Sequence, residues 1–233
     1  MKSICIIPAR GGSKRILKKN IKDFLGKPII SYSIDKAINS KLFDSIIVST
    51  DDDEIAEISA KYGASIPFRR PDYLSDDYST TLDVIKHAIE WSENRSGNIE
   101  FVCCLYPTAP FVEIRDLINA YEIIKNNQQS SLLISAVKYS YPIQRSFTIS
   151  TNGLTKLYFE DYLKSRSQDL EAFYHDAGQF YLASKSTWKS IDNLIENAIP
   201  FLLPGWRVQD IDTLDDWKRA ETMYKVLNES DYI

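Results

Sequence analysis

Short apolar runs alternate with segments of helical spacing through the first part of the chain. Residues 3–8 are a continuous apolar run, the pattern of a strand buried on both faces. Residues 28–39 (PIISYSIDKAIN) set Ile29, Ile30, Ser33, Ile34 and Ala37 along one side, which predicts a helix. A second strand is predicted at 45–49. Thr50 or Asp51 then caps a helix over about 53–62 that Gly63 ends. A short strand near 65–68, a helix over about 79–91, a buried strand at 101–105, a helix over 113–126 and a strand at 132–137 follow. Such alternation calls for an α/β fold with a mostly parallel sheet and helices on both faces. Ligands of these sheets bind beyond the carboxyl ends of the strands. Four polar, turn-rich segments fall there: 10–20, 50–54, 106–110 and 210–213.

Residues 138–173 break the pattern. They are rich in Tyr, Ser, Gln and Arg and alternate weakly about Asn152-Gly153, a hairpin signal. This reads as an extension to the sheet. Residues 178–183 (GQFYLA) resume a strand, and 213–227 form a closing amphipathic helix.

At 233 residues, with 44% hydrophobic and 26% charged composition, the expectation is one domain over 1–233 that includes the extension at 138–174. The 28 Lys+Arg against 32 Asp+Glu leave a net charge of -4, which argues against general nucleic-acid or anionic-membrane partners. Cys5, Cys103 and Cys104 all lie in apolar runs and read as buried thiols of a reducing compartment. The opening MKSICIIPAR is too short an apolar stretch for a signal peptide, and no run approaches the roughly 20 residues of a membrane span. A cytoplasmic protein is expected.

Charge is concentrated in one place. Six basic residues and no acidic one lie between Arg10 and Lys22, in a turn that follows the first strand. Gly11 and Gly12 let backbone N–H groups turn toward an anion, with Ser13, Arg10, Lys14 and Lys19 adding a hydroxyl and charge. The turn matches neither G-x-G-x-x-G nor G-x-x-x-x-G-K-[ST], so a phosphate site and a solvated basic turn both stay open. In Gln209-Asp210-Ile211-Asp212-Thr213 an extended backbone projects Asp210 and Asp212 to one side. That pair suits a magnesium ion shared with substrate phosphates, or alternatively the acidic start of a helix. Asp51, Asp52 and Asp53 resemble a glycosyltransferase metal motif but read more simply as a helix cap with favourable first-turn charge. His87 reads as structural. His175, in Tyr-His-Asp-Ala-Gly-Gln-Phe-Tyr, is the better ligand candidate. No Cys/His spacing supports zinc.

PARGGSKRILKKN, RRPDYLSDD, YPTAPF and QDIDT occur in the order seen in the CMP-sialic acid synthetases (acylneuraminate cytidylyltransferases), and the chain resembles that family along essentially its whole length. The resemblance implies a Rossmann-like fold of nucleotidyltransferase type and transfer of CMP from CTP to a nine-carbon sugar acid, with release of pyrophosphate. It also implies a magnesium (Mg2+) requirement and a homodimer whose extension reaches the neighbouring subunit. Ala9, Arg10, Gly11, Gly12, Ser13, Lys14, Lys19 and Asn20 match the triphosphate and nucleotide loop, and Arg70 and Thr81 match positions near the cytosine and ribose. Asp210 and Asp212 match the acidic pair tied to metal binding and activation of the sugar hydroxyl. Arg10, Lys14, Lys19 and Asp212 are the catalytic candidates.

Departures from the N-acetylneuraminate enzymes are consistent in direction. GGSKR, TAPF, PIQR and HDAGQFY are similar to the pseudaminic acid cytidylyltransferase branch, although Leu17 stands where proline is common. A changed sugar calls for changed hydrogen-bond partners, because a wrong substrate leaves buried polar groups unpaired. Tyr106, Gln144, Arg145, His175, Asp176 and Gln179 are the candidates for sugar contact, with Arg145 suited to the sugar carboxylate. Three alternatives are the same reaction on legionaminic or N-acetylneuraminic acid, a metal-dependent glycosyltransferase, and a non-catalytic nucleotide-binding protein.

Overall fold

A computed structural model describes residues 2–127 and 131–229 of the protein. The first apolar run is strand β1 (Lys2–Pro8). Burial on both faces is its signature: Ile4 and Ile6 enter one hydrophobic cluster, Cys5 and Ile7 the other. It runs parallel to β4 (Ser45–Ser49) on one side and β5 (Ile99–Leu105) on the other, with Ile6 opposite Ile47 and Cys104. Beyond β5 lies β9 (Tyr174–Ser184), antiparallel to both its neighbours, then β6 (Leu133–Lys138) and β10 (Ile199–Leu202). Among the described residues the main sheet therefore has six strands, in the order β10-β6-β9-β5-β1-β4. The expected mostly parallel sheet is the observed one.

Helices cover both faces. Ile30, Ile34 and Ala37 of α1 (Ile29–Ser40), Ile55 of α2 (Asp53–Lys61) and Leu117, Ala120 and Ile124 of α4 (Ile114–Asn126) pack with Cys5 and Ile7. Ile85 and Ile89 of α3 (Thr81–Ser96) and Trp188 of α5 (Lys185–Ser190) pack on the face that carries Ile4 and Ile6. Each isoleucine and leucine among them contributes roughly 1.5–3 kcal/mol when fully buried. A third cluster joins the hairpin of β2 (Asp23–Phe24) and β3 (Lys27–Pro28) to α6 (Leu214–Glu229), with the rings of Phe24, Tyr32, Trp217 and Tyr224 meeting edge-on.

Some expectations are corrected. The segment 65–68 adds only a single parallel bridge, Ser65 to Ile47, because Pro67 has no N–H for a ladder. Asp52, rather than Thr50 or Asp51, caps α2 by accepting from the Ile55 N–H at 2.9 Å. The extension does not join the main sheet. Its strands β7 (Phe147–Ile149) and β8 (Thr155–Leu157) form their own two-stranded sheet, turned at Gly153 with φ +80°. Strand β10 and helix α5 are short and weakly patterned, and periodicity did not reveal them.

Candidate active site

Beyond the carboxyl ends of β1 and β5, at the start of α3, lies a cleft of about 640 Å³. Arg10, Ser13, Lys14, Arg15, Lys19 and Asn20 from the basic turn line it, together with Arg70, Asp77, Thr81, Tyr106 and Asp212. Residues from both ends of the sequence thus face one space. The turn holds its shape from within: buried Asn20 donates from Nδ2 to the Arg10 carbonyl at 2.9 Å, and the Ser13 N–H to the Gly11 carbonyl at 2.8 Å.

The two glycines differ in their surroundings. Neither has a positive φ. The Gly11 N–H donates to Asp51 Oδ1 at 2.9 Å, and a Cβ at Gly11 would lie 2.8 Å from Asp52 Oδ2. Close approach to the start of α2 is what Gly11 permits, whereas Gly12 has nothing within 4 Å of such a Cβ. Ala9, fully buried, continues β1 by donating to the Ser49 carbonyl at 2.9 Å.

Arg70 is buried beside the end of β4. Its Nε donates to Ser49 Oγ at 3.1 Å and its Nη2 to the Ser49 carbonyl. Burial pulls its guanidinium down to about 10, partly offset by Asp51, so it stays cationic at neutral pH. Thr81 Oγ1 and the Tyr106 hydroxyl are 2.9 Å apart. The Tyr181 hydroxyl, 3.5 Å from that of Tyr106, donates to Asp176 Oδ2, and Asp176 Oδ1 accepts from the Gly178 N–H at 2.8 Å. Burial, above all, raises Tyr106 to about 12 and moves Tyr181 well above the ordinary tyrosine value, so both stay protonated. Tyr181 did not stand out in the sequence, because its apolar surroundings resemble those of any core strand.

The acidic pair divides between two spaces. Ile211 is anchored in the α6 cluster, and Asp212 lines the main cleft. One oxygen of Asp212, Oδ1, lies 2.8 Å from Arg15 Nη2 and 3.4 Å from Lys19 Nζ, while Lys19 also donates to the Ile211 carbonyl at 2.7 Å. Asp210 lines an adjoining cleft of about 310 Å³ with Lys138, Ser140, His175, Asp176 and Gln209. Desolvation and then the charge of Asp212 raise the Asp210 carboxyl above its usual value. Thr213 and Asp216 cap α6: the Thr213 N–H donates to Asp216 Oδ2 at 2.9 Å, and the Asp216 N–H to Thr213 Oγ1 at 3.2 Å. The metal-pair and helix-start readings of this segment are compatible.

Among the described residues, no group of three or more His, Cys, Asp or Glu side chains is set to hold a metal ion. Asp210 and Asp212 are an all-oxygen donor pair of like charge. Two carboxylates with substrate oxygens and water completing the shell suit magnesium, which rarely uses an all-protein cage.

The sugar-contact candidates separate. Tyr106 lines the main cleft, and His175 and Asp176 line the second. His175 Nδ1 is 2.8 Å from the Asp176 carbonyl, and its ring packs on Tyr139 with centroids 4.7 Å apart. Gln144 is buried within the extension, donating to the Glu171 carbonyl at 3.0 Å, and Arg145 spends its guanidinium on the carbonyls of Leu163 and Ser165. Gln179 is buried as well, donating from Nε2 to the Arg207 carbonyl at 2.7 Å. None of these three side chains lines either cleft. Asp51, Asp52 and Asp53 do not converge: Asp51 accepts from Gly11, Asp52 caps α2 and exposed Asp53 pairs with Arg69. His87 packs its ring on Phe68, as a structural histidine does.

A cation-lined cleft at the carboxyl edge of a mostly parallel sheet, with Asp212 among its lining, is the architecture of a nucleotidyltransferase. A family model described as "Cytidylyltransferase" matches residues 4–188. The chain belongs to the cytidylyltransferase family. It is 48% identical to a pseudaminic acid cytidylyltransferase of Campylobacter jejuni, over 99% of each chain. It is also 30% identical to a CMP-N,N'-diacetyllegionaminic acid synthase of Legionella pneumophila, over 99% of each. The fold is shared with a CMP:2-keto-3-deoxy-manno-octonic acid synthetase complexed with CTP, at TM-score 0.71 and 15% identity, covering 97% of this chain and 100% of that one.

Proposed function

We propose that the protein transfers CMP from CTP to the anomeric hydroxyl of a nonulosonic acid and that this acid is pseudaminic acid. The observation that carries the reaction is the meeting of Arg10, Lys14 and Lys19 with Asp212 in one cleft. The 48% identity to the Campylobacter enzyme over the full chain supports the sugar. The 30% relative makes legionaminic acid the nearest competing substrate.

Arg10, Lys14 and Lys19 hold the triphosphate and offset charge on the departing pyrophosphate. Arg70 and Thr81 lie on the nucleoside side of the cleft, and Tyr106 stands between nucleotide and sugar. The sugar acid takes the second cleft, against His175 and Asp176. Its C2 hydroxyl reaches the α-phosphorus past Asp212, whose Oδ1 is steadied by Arg15 and Lys19. Asp210 and Asp212 would hold magnesium, which supplies Lewis-acid neutralisation of phosphate charge.

Pyrophosphate release with CTP and a panel of free nonulosonic acids tests both parts. Turnover should be at least about tenfold higher with pseudaminic acid than with the others, a margin set by unpaired polar groups in the wrong complexes. Equal rates on N-acetylneuraminic acid would remove the sugar assignment; no release with any acid would remove the reaction.

The protein acts in the cytoplasm, where CTP is made; among the described residues no helix is long and apolar enough to cross a membrane. It works as a homodimer through the 138–174 extension, whose Phe147, Ile149, Leu154 and Leu163 are exposed in a single chain. A monomer at micromolar concentration in sedimentation equilibrium would overturn the dimer.

A further inference from the structure

The cations that a triphosphate needs already hold an anion. Asp77 lies 3.0 Å from Arg10 Nη1 and pairs with Lys14 Nζ. Arg10 Nη1 also donates to the Asp76 carbonyl at 2.5 Å, so one side chain grips two points of the segment before α3. That segment is preformed. Asp76 Oδ1 accepts from the N–H groups of Tyr78 and Ser79 at 3.0 and 2.8 Å and from Ser79 Oγ at 2.7 Å. With Asp76 committed to this turn, the next carboxylate is the one that lines the cleft.

We infer that Asp77 is an internal occupant of the triphosphate site, seated on Arg10 and Lys14 until CTP displaces it. The inference rests on the proposed CTP reaction. Its physical basis is competition: a carboxylate and a phosphate oxygen accept the same charge-assisted hydrogen bonds from the same donors. In the free protein Asp77 also relieves repulsion between two cations held together for a more highly charged ligand. Both pairs are exposed to solvent, so they are weak enough to be displaced. Their loss on binding lowers CTP affinity without touching the nucleoside contacts.

The test is calorimetric titration of the full chain with CTP, and separately with cytidine, in magnesium-containing buffer. Asp77→Asn keeps the shape and removes the charge; Asp77→Ala removes both. Each variant should bind CTP about threefold to tenfold more tightly than the native protein, the range expected for two exposed ion pairs. Cytidine affinity should not move. Equal or weaker CTP binding by both variants overturns the inference, as does an equal gain for cytidine, which would mark a rearranged loop. A native protein that binds no CTP overturns the inference together with the proposed reaction, and so is distinguishable from failure of the inference alone.

Discussion

Arg207 and Asp116, 91 residues apart, form a buried two-pronged ion pair with N···O distances of 2.6 and 3.0 Å. Glu113 adds a third contact at 3.1 Å, and the Arg207 carbonyl accepts from Gln179. This pins the approach to Asp210 and Asp212 onto the start of α4. Asp116→Ala would leave a buried guanidinium short of its partner. The expected loss is about 3–5 kcal/mol of unfolding free energy, measured by urea denaturation. A loss below about 1 kcal/mol would mean that water reaches the pair.

Arg10→Ala removes a cation from the place where pyrophosphate departs in the proposed reaction, and turnover should fall about 10²–10³-fold, as when a single transition-state donor is deleted. Asp212→Asn should cost a similar factor at saturating magnesium. Near-normal turnover in steady-state assays of Asp212→Asn would take that carboxylate out of the mechanism.

Tyr181→Phe removes the hydroxyl that joins Asp176 to Tyr106. Asp176 lines the cleft proposed for the sugar acid, so the KM for that acid should rise roughly tenfold, the cost of about 1.4 kcal/mol in an oriented hydrogen bond. The KM for CTP should stay within about twofold of native. Equal rises in both constants would show that the chain of hydroxyls holds the whole sheet end rather than the sugar pocket.

His87 is partly buried against Phe68, and its Nδ1 has no hydrogen-bond partner. Desolvation lowers its folded-state pKa below the usual histidine value. Below that usual value the unfolded chain takes up a proton that the native state resists, so stability falls as pH falls through the window between the two. His87→Phe should flatten this part of the stability curve, followed by denaturant midpoints between pH 7 and 5. An unchanged slope would assign the acid loss to other groups.

Periodicity located the elements of the first part of the chain with few errors, because β1 and β5 are buried on both faces and α1 and α4 on one, and each leaves its repeat in the sequence. The basic turn and Asp212 were legible for a related reason. Uncompensated charge in a mostly mixed-charge chain stands out, and an extended backbone around a buried Ile211 exposes its neighbours. Asp77 lay in a motif already noted, RRPDYLSDD, yet its role depends on partners 67 and 63 positions away.

Polar residues of the middle segment carried less information. Gln144, Arg145 and Gln179 have the chemistry of sugar ligands, but the fold turns all three to backbone carbonyls. A polar side chain can meet a ligand or satisfy a buried backbone group, and local pattern does not distinguish them. The sequence by itself determined a mostly parallel α/β sheet, a cationic turn after its first strand and an acidic pair near its end. Only the tertiary structure decided that Asp210 and Asp212 face adjoining clefts and that Arg10 and Lys14 are held by Asp77. Those outcomes depend on contacts across the chain, where distance in space is unrelated to distance in sequence.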